Sequence, residues 1–287
     1  MENSLMEKKS RPFDILIYIL IYASAAISVL LLIGIIVYVF YRGIRVVDFT
    51  FLTTVTSVFK GTVGILGNII NTLYMVVITL LIATPIGIGS AIYLNEYAHP
   101  GKLVRLIEFT TETLSGIPSI IFGLFGMVFF GTTLGMGYSI LTGALTLSLM
   151  ILPLITRNTQ ETLKTVPISY RSGAMGLGAT KWYMIRTVLL PSAMPGIITG
   201  IILGIGRIVG ESAALLFTAG SSALLPKSLF SHVKQSGGTL TIQLYLSMSK
   251  AEYDVAFGIA TVLLVTVFII NIITKVLARK FDVERKK

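Results

Sequence analysis

The sequence predicts an all-α, polytopic membrane protein with six transmembrane helices, and three observations indicate this fold class. Of the 287 residues, 54% are hydrophobic and 13% are charged, whereas soluble domains carry about 25% charged residues. So few charges cannot cover a soluble globule, which disfavours a soluble enzyme, a nucleic-acid-binding domain and a disordered chain. Long uncharged windows also recur along the chain, and a helix of about 20 apolar residues crosses a bilayer.

Uncharged windows define five of the spans, and the fifth span in chain order is an apolar segment that contains two charged residues. The first follows a basic N-terminal segment, 1–14, and is longer than the apolar core of a cleaved signal peptide, about 7–15 residues, so we interpret it as a retained span. The window 113–156 is too long for one helix, and a glycine-rich turn at 131–139 divides it. The predicted spans are 15–40, 69–94, 113–131, 139–156, 192–219 and 255–273, within a transmembrane domain of 15–278.

The distribution of basic residues predicts the orientation. If the N-terminus is inside, 16 of the 23 Lys and Arg residues fall on the inner side, 6 fall outside and one, Arg207, lies within a span. Because cytoplasmic loops accumulate basic residues, we place both termini in the cytoplasm of a cell-membrane protein. The inner loop (157–190) and a basic tail (279–287) that meets anionic lipid then account for most of the +10 net charge.

Several kinds of chemistry are not expected in this chain. It has no Cys and two His residues, so it offers no thiolate site and too few histidines for a His-based metal cluster. The glycine-rich stretch 173–181 lacks the lysine that follows the second glycine of a phosphate loop. We therefore expect no catalytic residue, metal or cofactor in the chain, and any ATP would be hydrolysed by a separate subunit.

The fifth predicted span contains two charged residues, Arg207 and Glu211, whose spacing of four would put them on one helix face. Arg207 lies about 24 Å along the helix from Pro191, and a central arginine costs roughly 2.5–3.5 kcal/mol on insertion scales. One hypothesis is an internal salt bridge. We favour the other, in which Arg207 meets an anion in a translocation path, because guanidinium suits phosphate and buried ion pairs stabilise poorly.

Two neighbours complete this candidate substrate path. Glu211 would hold Arg207 between turnovers or form a gate pair that the anion breaks. Ser212 is a candidate hydrogen-bond donor to the anion. Ser115 and Ser119, on either side of Pro118 in the third span, are better explained by helix packing through small residues.

The inner loop contains a segment that begins at Ser172 and is rich in small residues, with a Leu-Pro pair thirteen positions beyond Gly178. From its pattern alone, this segment is as consistent with an ordinary interfacial helix-turn as with a docking segment for a partner protein. It resembles the EAA loop of ABC-importer permeases, although Ser172 stands where the family has glutamate. The resemblance implies a helix that docks on an ATPase. The residues implied in this coupling are Ser172, Gly173, Ala174, Gly178, Leu190 and Pro191.

The Arg-x-x-Gly-Glu motif at 207–211 and its continuation to Ala219 resemble the A-type permease of phosphate-specific importers, the PstA family. Stretches at 91–98 and 116–126 agree with that family in the expected order. The resemblance implies a MetI-like type I importer permease that moves inorganic phosphate by alternating access. It also implies as partners a homologous permease subunit, two ATPase subunits that bind ATP and Mg, and an external phosphate-binding protein.

Other interpretations remain open. The same architecture suits the sister phosphate permease or a sulfate or molybdate permease. A secondary transporter would show paired broken helices in repeated halves, and an enzyme would need a nucleophile and base; neither pattern is evident. The outer loop (220–254) is expected to be solvated, and contact of Lys227, His232 or Lys234 with the binding protein is undecided.

Overall fold

The structure, a computed structural model, describes residues 12–57, 62–99, 101–226 and 228–279. Most of the predicted N-terminal segment and basic tail lies outside these residues. The helices are α1 (Pro12–Gly43), α2 (Phe49–Thr53), α3 (Leu66–Ile92), α4 (Lys102–Gly116), α5 (Ser119–Gly126), α6 (Ile140–Thr165), α7 (Ile168–Gly176), α8 (Lys181–Met184), α9 (Leu190–Gly210), α10 (Ala213–Thr218), α11 (Leu229–His232), α12 (Leu240–Ser249) and α13 (Tyr253–Arg279). Strands β1 (Val55–Ser57) and β2 (Thr62–Ile65) form an antiparallel hairpin.

Three π-helical turns extend these helices and lengthen the crossings. They are Tyr93–Tyr97 after α3, Met127–Thr133 after α5, and Ile185–Leu189 between α8 and α9. In the described part of the chain, five helical segments are long and apolar enough to cross a membrane, and one bent pair adds a sixth. The five are Phe13–Gly43, Leu66–Tyr97, Ile140–Thr165, Lys181–Gly210 and Tyr253–Val276. The expected all-α polytopic fold class is confirmed.

The sixth candidate crossing is the bent pair, and its second helix, α5, begins at Ser119, later than the predicted start of the span 113–131. α4 continues to Gly116, and the chain then bends by 102° before α5. The bend lies at Ile117 and Pro118, because a proline donates no backbone hydrogen bond and disfavours a helical residue before it. α4 carries charged residues and buries no side chain, which is typical of a helix lying along a membrane surface.

The main core lies where α3, α6 and α9 pack together. Its buried side chains include Met75 of α3, Ile151 of α6 and Ile208 of α9. Glycine permits this close approach, since a Cβ on Gly87 of α3 would lie 2.8 Å from Cγ2 of Ile155 in α6. Small residues at such crossings are the usual way for membrane helices to gain packing contacts.

Part of the outer loop is folded against the bundle, so the expectation of a solvated loop is wrong there. His232 is 1% exposed, and its Nε2 lies 2.7 Å from Oδ1 of Asn71 in α3. The Asn71 amide group donates to the carbonyls of Ser222 and Gly238 at 3.1 and 3.2 Å, so its oxygen is the acceptor for the histidine. Lys234 is exposed, and Lys227 lies outside the described residues.

Candidate functional site

Arg207 lies in the last turn of α9, near the middle of the bundle's length. Gly204, one turn earlier, faces the Cδ1 atoms of Ile151 and Ile155, each 4.0 Å from the position of a Cβ on that glycine. Both isoleucines lie halfway along α6. Arg207 follows Gly204 by three residues, and a helix rises about 1.5 Å per residue. Arg207 therefore lies within about one helical turn of the midpoint of α6.

The Arg207 side chain points away from the core of its own chain. Ile208 and Val209 are buried, whereas Gly206, Arg207 and Gly210 are exposed. A Cβ on either glycine would meet nothing within 4 Å. Arg207 forms no ion pair and no side-chain hydrogen bond with the described residues. It is therefore a cationic group at mid-depth on an uncovered helix face.

Glu211 does not share a helix with Arg207, so the expected common helix face is wrong. α9 ends at Gly210, and Glu211 has an extended backbone, with φ −82° and ψ 123°. Its carboxylate accepts a hydrogen bond from the backbone N–H of Ala214 at 3.0 Å and so caps α10. An acidic group is favourable there because the first N–H groups of a helix lack partners within it.

The break at Glu211 brings the continuation of the 207–211 motif, in α10, into contact with the 116–126 stretch, in α5. α10 packs on α5, and a Cβ on Gly123 of α5 would lie 2.8 Å from the Cα of Ala214. The hydroxyl of Ser212, half-buried at the break, has no hydrogen-bond partner among the described residues. Ser115 is exposed and donates to the carbonyl of Thr111 at 3.0 Å within α4, so the packing role remains a prediction. Ser119 is the first residue of α5.

The inner loop forms a short helix that ends at a glycine, as its sequence predicts. Gly178 has φ +85°, a left-handed conformation that glycine adopts without steric cost. The N–H of Ala179 bonds to the carbonyl of Ala174 at 3.1 Å, and that of Gly178 to the carbonyl of Met175 at 3.0 Å. These two bonds form a Schellman motif, which stops α7 and turns the chain toward α8.

Four of the six residues implied in coupling lie around this turn. Ser172, Gly173 and Gly178 are exposed, and half-buried Ala174 packs against a small core under the loop. Leu190 and Pro191 lie farther along, inside the continuous segment that starts at Lys181 rather than at its entrance. The π-helical turn before them accommodates Pro191, which has no N–H to donate.

An uncovered apolar surface surrounds the α7–α8 turn. A groove of about 510 Å³ lies there, lined by Ala174, Gly178, Thr180 and Tyr183 among others. Leu177, at the turn, is 92% exposed, and Met175 and Trp182 are also exposed. Contiguous exposed apolar side chains of this kind mark interaction sites. No group of three or more His, Asp or Glu residues in the described ranges is placed to hold a metal ion.

Comparison with known proteins identifies the family. Residues 83–283 match the family described as "Binding-protein-dependent transport system inner membrane component". The "Probable ABC transporter permease protein YqgI" of Bacillus subtilis (strain 168) is 41% identical over 196 residues, which cover 68% of this chain and 67% of that protein. The "Phosphate transport system permease protein PstA" of Xylella fastidiosa (strain Temecula1 / ATCC 700964) is 34% identical over 189 residues, 66% of each chain.

A solved structure supports the same fold. A chain of the "bacterial alginate ABC transporter in complex with alginate pentasaccharide-bound periplasmic protein" matches with a TM-score of 0.70 at 16% identity, covering 94% of this chain and 96% of that one. At this identity the likeness concerns the fold alone, and the expected MetI-like importer permease fold is confirmed. Because the family model matches more than half of this chain, the chain belongs to the binding-protein-dependent transport system inner membrane components, the membrane-embedded permease subunits of ABC importers.

Proposed function

We propose that this permease subunit moves inorganic phosphate across the cell membrane, and that Arg207 binds the anion on its way through. The observation that carries the proposal is the position of this side chain: a guanidinium at mid-depth, on an uncovered face, with no partner among the described residues. An arginine exposed to lipid there would cost roughly 2.5–3.5 kcal/mol. A water-filled path between this chain and a second permease removes that cost.

The chemistry of the site favours a tetrahedral oxyanion. A guanidinium presents a planar fork of N–H donors that pairs with two oxygens of a phosphate, and it stays charged at any physiological pH. The unpartnered hydroxyl of Ser212 supplies a neutral donor close to Arg207 along the chain. Glu211 contributes by ending α9 beside Arg207, since its carboxylate caps the next helix and is not paired with the arginine.

The energy for transport enters through the inner loop. We assign the groove and the exposed Leu177 around the α7–α8 turn to docking of an ATPase subunit, which binds ATP and Mg and hydrolyses the nucleotide.

A second, homologous permease covers the face of α9 that carries Arg207, and each permease binds one of two ATPase subunits. An external phosphate-binding protein delivers the anion to the side opposite the inner loop, and both termini lie in the cytoplasm. Transport then follows alternating access, with Arg207 facing each side of the membrane in turn.

Uptake of labelled phosphate by the reconstituted complex tests the site. With Arg207→Gln, we expect at least a tenfold loss of uptake while assembly and ATP hydrolysis persist. Arg207→Lys should restore part of the uptake, because lysine keeps the charge without the fork. Arg105→Gln is the matched control, since it removes an exposed arginine of α4, and uptake should not change. Normal uptake by Arg207→Gln would contradict the proposal, and loss of assembly would show that the residue serves packing.

Competing anions distinguish phosphate from the other substrates that the same guanidinium accommodates. We expect unlabelled phosphate to abolish uptake of the label, and sulfate and molybdate at the same concentration to leave it unchanged. Transport of labelled sulfate or molybdate would instead favour a permease for that anion. The A-type and sister phosphate permeases are distinguished by which partner permease copurifies with the chain.

A further inference from the structure

A shielded ion pair joins the inner loop to the C-terminal end of α3. Arg171, in α7, donates from Nη2 and Nε to one carboxylate oxygen of Glu96, at 3.0 and 3.3 Å. Its Nη1 donates to the carbonyl of Val166 at 2.8 Å, and Nη2 also donates to the carbonyl of Leu163 at 2.8 Å. Those carbonyls end α6, where they lack partners within the helix. One guanidinium therefore holds α3, α6 and α7 together.

This ion pair differs in its burial from the others in the described ranges. The side chains of Arg171 and Glu96 are 19% and 8% exposed. Arg157 pairs with Glu112 and Glu161, but its side chain is 54% exposed and theirs are more exposed still. Water screens an exposed pair and weakens it, whereas a shielded pair in which the guanidinium makes four hydrogen bonds holds a fixed geometry.

A second cation ties the other end of the inner loop to the same place. Lys181, the first residue of α8, donates from Nζ to the main-chain carbonyl of Glu96. Its ammonium group also lies 4.9 Å from the ring centre of Tyr97, within the range of a cation–π contact. Both arms of the α7–α8 turn are thus held by the π-helical turn Tyr93–Tyr97, which belongs to α3's membrane crossing.

We propose that Glu96 and Arg171 are positioning residues that make α7 and the end of α3 move as one body, so that displacement of the inner loop is delivered into the α3 crossing. The inference rests on the proposed docking of an ATPase at α7. Without this link, the loop would be tethered to α3 by apolar contacts and by Lys181 alone. α3 packs closely on α6, so movement of its end reaches the core that supports α9 and Arg207.

Stability alone explains the pair poorly. Replacing a shielded ion pair by apolar residues is often neutral or stabilising, because desolvation of the charges opposes their attraction. A charged link with two directional bonds to Glu96 and two to the end of α6 instead fixes the angle that α7 makes with α3, which apolar contacts leave free.

The absence of cysteine from the chain permits a direct test with two spin labels. We would place cysteines at Ile168 in α7, away from the docking turn, and at Ile86 in α3, both exposed side chains, in the complex of the full chain with its ATPase. Pulsed electron paramagnetic resonance then measures the distance between the labels with and without ATP. We expect one distance in both states for the parent, and an ATP-dependent shift or broadening for Arg171→Gln and for the milder Glu96→Gln.

Transport measurements on the same variants provide the second readout. We expect ATPase copurification and hydrolysis to persist in Arg171→Gln and Glu96→Gln, with at least a tenfold fall in phosphate uptake per ATP hydrolysed. Arg157→Gln, which breaks only exposed pairs, is the matched control and should leave uptake per ATP unchanged.

Two label results would overturn the inference: a distance that changes with ATP in the parent, or a distance that changes with ATP in neither variant. Two transport results would also overturn it: unchanged phosphate uptake per ATP hydrolysed in both Arg171→Gln and Glu96→Gln, or loss of ATPase copurification from both variants. If the parent hydrolyses ATP but does not import phosphate, the proposed substrate fails while the label distances still test the link. If no ATPase associates with the parent, the docking assignment itself fails.

Discussion

The main-chain carbonyl of Glu211 accepts a hydrogen bond from the hydroxyl of Thr241 at 2.9 Å. This contact joins the break after α9 to the first turn of α12, a helix of the outer loop. Thr241 is buried, and the bond itself is partly buried at the break. The conformation of the break next to Arg207 therefore depends on a segment that is thirty positions away in the sequence.

Thr241→Val should destabilise the protein because it leaves the Glu211 carbonyl unpaired. We expect a loss of about 0.5–1.5 kcal/mol, the usual net contribution of a hydrogen bond, observed as a fall of a few degrees in the unfolding midpoint in detergent. Thr241→Ser retains the hydroxyl and is the matched control. Equal midpoints for the Val and Ser variants would show that the bond contributes nothing.

Two substitutions of Glu211 separate its capping role from its charge. Glu211→Ala removes the acceptor for the Ala214 N–H and should cost about 0.5–2 kcal/mol, as loss of a helix cap does. Glu211→Gln keeps an oxygen acceptor, so its unfolding midpoint should stay close to that of the parent. A Gln variant as unstable as the Ala variant would contradict capping by this side chain.

A double-mutant cycle tests whether Arg207 and Glu211 interact. Because the structure places no ion pair between them, the effects of Arg207→Gln and Glu211→Gln on stability should add within about 0.3–0.5 kcal/mol, as they do for independent sites. The midpoints of the parent, both single variants and the double variant complete the cycle. A larger coupling energy would support the ion pair that the spacing of four predicts.

The crossings were predictable because hydropathy and length alone identify them, but two breaks within them were not. Hydropathy and length ignore what a residue does to the backbone, so the third predicted span crosses Pro118 and the fifth crosses Glu211. The second break has a local signal: Gly210 ends one helix, and Glu211 and Ser212 precede an apolar run, which is a helix-start pattern. An interpretation that seeks a single continuous helix overlooks it.

The contacts that fix the site could not be found from local sequence at all. Arg171 and Glu96 are 75 positions apart, and His232 and Asn71 are 161 apart. Nothing in the composition around either residue marks its partner, since the pairing depends on how the helices pack. The stop at Gly178, by contrast, is local, because only the conformational preference of one residue is involved.

Gly178→Ala tests the turn that presents the inner loop. The cost should be about 1–2 kcal/mol, because an L-residue is strained in the left-handed region, whereas a new Cβ there meets no atom within 4 Å. We expect weaker ATPase copurification, with partial recovery in Gly178→Asn, because asparagine tolerates this conformation better. Gly176→Ala is the control: its glycine is helical and equally uncovered. If both alanine variants behaved alike, conformation would not be the cause.

Gly67→Ala tests the attachment of the outer loop to α3. A Cβ on Gly67 would clash with the main-chain oxygen of Ala223, so the loop backbone must move away from the helix. Such overpacking typically costs about 1–3 kcal/mol. Gly89→Ala, on the same helix, adds a Cβ with nothing within 4 Å and should be neutral or slightly stabilising, because alanine is the better helix former. The unfolding midpoints measure both effects. Limited proteolysis of the outer loop should be faster for Gly67→Ala alone, and equal cleavage in the two variants would show that this close approach does not hold the loop.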